Sequence, residues 1–386
     1  MNGVPQALQE QLLGRGVQEV LTAADRASLT GQSVLVTGAG GSVGSELVRQ
    51  LAACRPARLT LFEQCEYALF RIEESVRRDH PNLAIDAVLG DVTRRGDIRA
   101  ACARSRPRVV YHAAAYKHVV LTETAIVPAV RTNVLGTIEA MNAARDVGAR
   151  FVLISSDKAA EPRSVMGATK RLAEMAALGG ATDLFRPVAV RFGNILGSSG
   201  SLLEIMCRCA EEGRDVPVTD LDATRYFMTA GEAVQLVLKS DLIGHAGEVF
   251  WLDMGEPVRI GDLVSRFIEW SAASGRPRVG VRSIGLRPGE KRTETLTTQG
   301  LSMRKTADPR IWSARQSKSR VDLDAVLRRL RHAVARGDAA NALQALHEAV
   351  PGFTASEAAQ AASRLQVAGT GAVRLQATGT GGGRLQ

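Results

Sequence analysis

The 386-residue chain has no uninterrupted apolar run of roughly eighteen residues, the length a membrane-spanning helix needs. Its N-terminus lacks the basic, apolar and small-residue order of a secretory leader. These absences make the cytoplasm the expected compartment, with no integral membrane segment. The five cysteines, at 54, 65, 102, 207 and 209, are odd in number and never spaced as CxxC. That argues against a disulfide framework and a structural zinc site. Cys207 and Cys209 form a CxC on what reads as a helix, without the companions zinc requires, so no metal is expected. Nor are cations gathered into a basic arm or a recognisable nucleic-acid module. The formal charge of +9 comes almost wholly from dispersed arginine. Such a balance suits no nucleic acid, but an anionic small substrate or, peripherally, an acidic membrane face.

What is present is a core-forming composition, 45% hydrophobic, and a strand-turn-helix signal near the start. Ser33-Val34-Leu35-Val36 reads as a buried strand running into Thr37-Gly38-Ala39-Gly40-Gly41-Ser42-Val43-Gly44, and helical periodicity follows from Ser45 to Ala53. Glycines at 38, 41 and 44 permit a tight turn and close approach to a pyrophosphate, which sits on free N–H groups at the helix start, around Ser42 and Val43. The next strand, Leu59 to Phe62, ends in Glu63, placed to accept from adenosine ribose hydroxyls. A carboxylate there repels a 2′-phosphate, so NAD is expected over NADP. A third strand leads into Asp91-Val92 near the adenine, and a fourth, Arg108 to Ala115, ends in small residues, Ala113 and Ala114, that let the cofactor close. His112 reads as a structural histidine, and Lys117 as a phosphate or sugar contact.

After a long helical stretch, about Thr122 to Val147, the strand Phe151-Val152-Leu153-Ile154 delivers the densest chemistry in the chain: Ser155-Ser156-Asp157-Lys158, then Met166-Gly167-Ala168-Thr169-Lys170 on the following helix. A hydroxyl, a carboxyl and amines at a strand's carboxyl end face a ligand in an open α/β sheet. The repeated alternation of strand and helix specifies a doubly wound parallel sheet, with a smaller α/β substrate-binding part interleaved with it. Residues 1–30 read as an N-terminal arm, 31–190 as the NAD-binding domain and 191–320 as the substrate part. In that part Arg225 and Arg287 could grip a diphosphate while Glu290 accepts from a ribose. Helices follow over 321–355. The last stretch, 356–386, repeats Arg-Leu-Gln at 364–366, 374–376 and 384–386 and reads as a disordered tail.

Together these motifs resemble the extended short-chain dehydrogenase/reductases, and most of all the UDP-N-acetylglucosamine 4,6-dehydratases of capsule, O-antigen and glycosylation pathways. The likeness rests on the glycine turn, His112-Ala113-Ala114-Ala115 with Lys117-His118-Val119, Ser156-Asp157-Lys158-Ala159 and Met166 to Arg171. It continues through Arg191-Phe192-Gly193-Asn194 with Leu196 to Ser201, and Arg287-Pro288-Gly289-Glu290-Lys291, covering roughly residues 30 to 315. It implies a UDP-sugar substrate, contacts from Asn194 and Ser198, and self-association. Many members carry an N-terminal membrane region, and Leu12-Leu13-Gly14-Arg15 resembles its linker, so a soluble short form or a detached enzyme domain is expected. The family reaction oxidises sugar C4, removes water across C5 and C6, and reduces C6. By resemblance Asp157 is the acid and Lys158 the C5 base, so Asp157 must carry a proton and Lys158 must shed one. The usual tyrosine is Met166, a thioether that moves no proton. Ser156, positioned by Lys170, is then the candidate C4 base, with Asp157 its rival. The resemblance associates methionine with retention at C5. An inverting dehydratase/5-epimerase and a non-catalytic NAD-binding sensor or assembly partner stand as alternatives.

Overall fold

The computed structural model describes residues 6–277, 279–298, 301–315 and 321–372. Nine strands make the main sheet: β1 Ser33–Thr37, β2 Arg58–Glu63, β3 Ile85–Leu89, β4 Val109–His112, β5 Arg150–Ile154, β6 Pro187–Arg191, β7 Glu248–Leu252, β8 Met303–Lys305 and β9 Ile311–Arg315. Their spatial order is β8-β9-β7-β6-β5-β4-β1-β2-β3. From β3 to β7 every pairing is parallel, whereas β9 runs antiparallel to β7 and β8 to β9. The order reverses at β1 and β4, the switch point at which such sheets bind ligands beyond their carboxyl ends.

The apolar runs of the central strands follow from helices covering both faces. In β1, Val34, Leu35 and Val36 have no exposed surface, yet they serve two cores. Leu35, Val110, Phe151 and Leu153 face one cluster, and Val34, Val36, Tyr111, Val152 and Ile154 face the other, the period-two alternation of a pleated strand. The first cluster is closed by the amphipathic helices Leu323–Arg336 and Ala339–Ala349, whose Leu327, Leu330, Leu343 and Leu346 join it. Asp322 and Asp338 accept from Ala325 and Asn341 N–H and start these helices, caps worth about 1 kcal/mol each. A third cluster lies in the smaller part. There Leu8, Leu12 and Leu13 of the N-terminal arm pack with Leu203, Met206, Leu263 and Phe267.

Two sequence expectations change. The 122–147 stretch is three helices, Val119–Thr124, Ile126–Val130 and Thr137–Asp146, joined through a π-helical segment, Arg131–Gly136. The stretch from 356, expected to be disordered, begins as a helix, Glu357–Ala372. Its Glu-Ala-Ala-Gln-Ala-Ala start consists of strong helix formers. Ser356 begins it, accepting from Ala359 N–H and donating to the buried Glu123 carboxylate. The second and third Arg-Leu-Gln repeats, at 374–376 and 384–386, lie outside the described residues.

Candidate active site

Above β1, β2 and β4 lies a cleft lined by Gly38, Gly40, Gly41, Glu63, Gly90, Val92, Ala113, Ala114 and Tyr116, among others. Gly38 has φ +65°, and a Cβ there would stand 2.7 Å from the Ala114 nitrogen; a Cβ on Gly44 would stand 2.0 Å from the Gly38 carbonyl oxygen. Only glycine fits at either place. The helix Ser42–Ala53 starts at Gly41 without a side-chain cap, so its first N–H groups, at Ser42 and Val43, are the kind of donors an anion takes up. This cradle and uncapped helix fit a dinucleotide. Glu63 lines the cleft with its carboxylate fixed by Gly40, Gln64 and Cys65 N–H at 3.0 to 3.1 Å. Asp91 turns its carboxylate onto Thr93 N–H, 2.8 Å away, while Gly90 and Val92 of that turn line the cleft.

The histidine at the end of β4 is structural. Thr137 Oγ1 donates to Asn133 O at 2.8 Å, so His112 Nε2, 3.0 Å from that hydroxyl, carries the proton and Nδ1 accepts from Thr37. Burial, followed by the nearby Lys170 charge, pushes His112 down to about 3. In the π-helical segment, Asn133 accepts from Tyr116 N–H and donates to Tyr116 O and Thr169 Oγ1. It thereby ties the loop after β4 to the helix Val165–Gly179.

At the end of β5, Asp157 to Ala159 form one 3-10 turn, and Ser156 opens it by accepting from Lys158 N–H. Asp157 has no exposed surface. Its Oδ1 accepts from Ser156 Oγ at 2.7 Å, Lys158 N at 2.9 Å and Lys158 Nζ at 3.1 Å. Its Oδ2 is buried without a partner among the described residues. Lys158 Nζ also donates to Asn194 Oδ1 at 3.1 Å and lies 3.7 Å from Glu294 Oε1. Burial is the largest influence on Lys158 and opposes its charge, but the Asp157 and Glu294 carboxylates outweigh it and hold its pKa above the ordinary lysine value. Lys158 is thus an ammonium here, not the neutral base expected from the sequence. Lys170, pushed down to about 8 by burial, donates to the Ile154 carbonyl at 2.9 Å rather than to Ser156. Ser156 is positioned by Asp157 instead. Met166 is buried one turn earlier on the helix that Ser164 caps.

The polysaccharide biosynthesis protein family model matches residues 34–316, most of the chain and all of the elements just described. The chain belongs to this family. It is 41% identical over 300 residues to the capsular polysaccharide biosynthesis protein CapD of Staphylococcus aureus, covering 77% of this chain and 50% of CapD. It therefore spans half the length of that curated relative. It is 28% identical over 274 residues to an inverting UDP-N-acetylglucosamine 4,6-dehydratase of Campylobacter jejuni, covering 69% of this chain and 77% of the dehydratase. Among solved structures, Pen from Bacillus thuringiensis superposes with a TM-score of 0.69 at 29% identity, over 75% of this chain and 89% of Pen.

In this member of the polysaccharide biosynthesis protein family, the expected substrate contacts are brought to the same edge but not all are free. Ser198 lies in a loop joined to the glycine turn where Ser42 Oγ accepts from Ser199 N–H at 3.1 Å. Lys117 is exposed, one residue before His118, whose ring packs against Gly200 of that loop. Arg225, expected to grip a diphosphate, is buried and donates to the carbonyls of Thr224, Lys291 and Arg292. Arg287 and Glu290, expected to take separate ligand groups, bind one another at 2.6 Å.

Three residues were missed in the sequence. Glu294 sits behind Lys158. Glu174 accepts from Ser155 Oγ and, bidentately, from Arg191. Thr298 joins Arg191 to the Ala160 carbonyl. None belongs to a motif: Glu294 and Thr298 lie in an ordinary polar run, 291–299, and Glu174 stands alone as an acid on its helix. Only the mismatch of a charge inside an apolar helix, Glu174 among Leu172 and Ala176, could have drawn notice.

Proposed function

We propose that this chain is an NAD-dependent UDP-N-acetylglucosamine 4,6-dehydratase that keeps the C5 configuration and forms UDP-2-acetamido-2,6-dideoxy-α-D-xylo-hexos-4-ulose for polysaccharide or glycoconjugate biosynthesis. The observation that carries this reading is the Asp157–Lys158 pair: a fully buried carboxyl whose Oδ2 has no partner among the described residues, beside an amine, at the same carboxyl edge of the sheet as the glycine cradle and two strands from it. Bound NAD would accept a hydride from sugar C4 and return it to C6. Glu63, already set in the cleft by three N–H groups, disfavours a 2′-phosphate and so favours NAD over NADP.

The chain's own residues manage the protons. Ser156 takes the C4 hydroxyl proton and passes its own to Asp157 Oδ1, 2.7 Å away. The two sequence candidates for the C4 base thus form one relay, which leaves Asp157 protonated. The Lys158 ammonium, still in part solvent-exposed, first releases its proton to water; the neutral amine then takes the C5 proton while Asp157 gives its own to the departing C6 hydroxyl. A carboxyl and an amine in contact in a closed site suit this division of acid and base. With Met166 buried and unable to move protons, Lys158 both removes and returns the C5 proton, on one face, which supports retention. The Campylobacter relative supports a second reading, inversion at C5.

Asp157→Asn tests the assignment. The variant should bind NAD, measured by fluorescence titration, and form 4-keto product from UDP-N-acetylglucosamine at least about 10²-fold more slowly. Full turnover would remove Asp157 from the chemistry.

A further inference from the structure

Glu294 lies outside every motif, yet it is the second carboxylate at the catalytic lysine. It is 5% exposed. Oε1 stands 3.7 Å from Lys158 Nζ, and Oε2 stands 2.8 Å from Lys291 Nζ. The loop that carries it is built to hold that place. Arg225 donates to the Lys291 and Arg292 carbonyls, and Thr224 N–H donates to Arg292 O at 2.9 Å. Thr224 bridges Thr293 in parallel. Lys291 Nζ donates to Glu161 O and Thr298 Oγ1 to Ala160 O, both just past the catalytic turn. The loop is thus tied at several points, and the buried Glu294 carboxylate meets Lys158 and Lys291 as ion pairs, with Oε2 making no hydrogen bond among the described residues.

We propose that Glu294 is a positioning residue that sets the protonation of Lys158, with Lys291 on its other oxygen limiting its hold. This rests on the reading of Lys158 as the C5 base. The charged groups facing Lys158 are Asp157 beside it, Glu294 from the 287–298 loop and Arg225 from the short strand before it. Asp157 is needed for the acid step, and Arg225 holds the loop. Glu294 is the group left to tune Lys158 without touching the sugar's reacting atoms. Its negative charge favours the ammonium, and Lys291 offsets part of that charge. Removing either partner therefore moves Lys158 in opposite directions, which a merely structural residue would not do.

The test uses the full chain with NAD bound, with lysines labelled at Cε with carbon-13 and the Lys158 signal assigned by its loss in Lys158→Arg. Glu294→Gln should lower the Lys158 titration midpoint by about one pKa unit or more. Lys291→Gln should raise it. The low-pH limb of kcat/KM should move the same way in each variant. Midpoints unchanged from the wild type, or shifted in one common direction, overturn the proposal. Should Glu294→Gln not fold, Lys291→Gln alone decides by the sign of its shift. If the wild type makes no 4-keto sugar, the proposed function fails, while the spectroscopic midpoints still decide the role of Glu294.

Discussion

Asp157 presents two unlike oxygens: Oδ1 accepts three hydrogen bonds, and Oδ2 sits buried with no partner among the described residues. A free buried acceptor is costly unless a proton or a ligand hydroxyl meets it. In the proposed site the relayed proton reaches Oδ1, and a substrate hydroxyl is the partner that meets Oδ2. Replacing Asp157 by Asn should lower kcat by about 10²- to 10⁴-fold, the usual worth of a general acid. Steady-state turnover beside NAD titration separates this loss from a loss of cofactor. Lys170 gives a prediction in pH. Burial pushes it down to about 8 in the folded chain, whereas an exposed lysine titrates near about 10.4. Between these values the unfolded chain binds more protons, so the unfavourable contribution of Lys170 is full below about 8 and fades as pH rises. Lys170→Met should raise the melting temperature more near pH 7 than near pH 10, read by thermal unfolding at both. At this scale the sequence was legible where residue types cluster, as in Ser156-Asp157-Lys158. It was silent on Glu294, because only the folded loop brings that carboxylate to Lys158.

The helix Val165–Gly179 is buried from Val165 to Leu178, so its polar residues must find partners within the protein. Glu174 does so with Arg191, Arg171 and Ser155. Burial alone would raise the Glu174 pKa, but the Arg191 and Arg171 guanidiniums outweigh it and hold the carboxyl below its ordinary range. Glu174→Gln leaves Arg191, itself without exposed surface, uncompensated. The expected loss is about 3–5 kcal/mol, measured as a fall in the urea midpoint. Elements with one strong period were readable, such as β1 and β5 and the amphipathic helix Leu323–Arg336. The π-helical segment Arg131–Gly136 was not, because its apolar residues fit an ordinary helix. What distinguishes it is the bonding of Asn133 to Tyr116 and Thr169 across the fold. The helix from Glu357 was hidden by the repeats that follow its start.

Across the whole molecule, the alternation of strand and helix fixed the parallel sheet in advance, and the glycine turn located its ligand edge. The reach of the C-terminus was less visible. Leu327, Leu330, Leu343, Leu346 and Phe353 belong to the same core as Leu35 and Phe151. A chain ending at 321 would expose that face and should aggregate. A chain ending at 355 keeps those five residues but loses Ala359 from the same core and the Ser356–Glu123 contact, so it should stay folded with a lowered melting temperature. Size-exclusion chromatography and circular dichroism of both truncations distinguish these outcomes.

The central claim is the dehydration itself. The most direct test is proton NMR of UDP-N-acetylglucosamine incubated with the purified chain and NAD in deuterated buffer, following C5 and C6. The expected result is a 4-keto-6-deoxy sugar with the original C5 configuration and deuterium at C5. A sugar with its C6 hydroxyl intact, or one inverted at C5, would contradict the account.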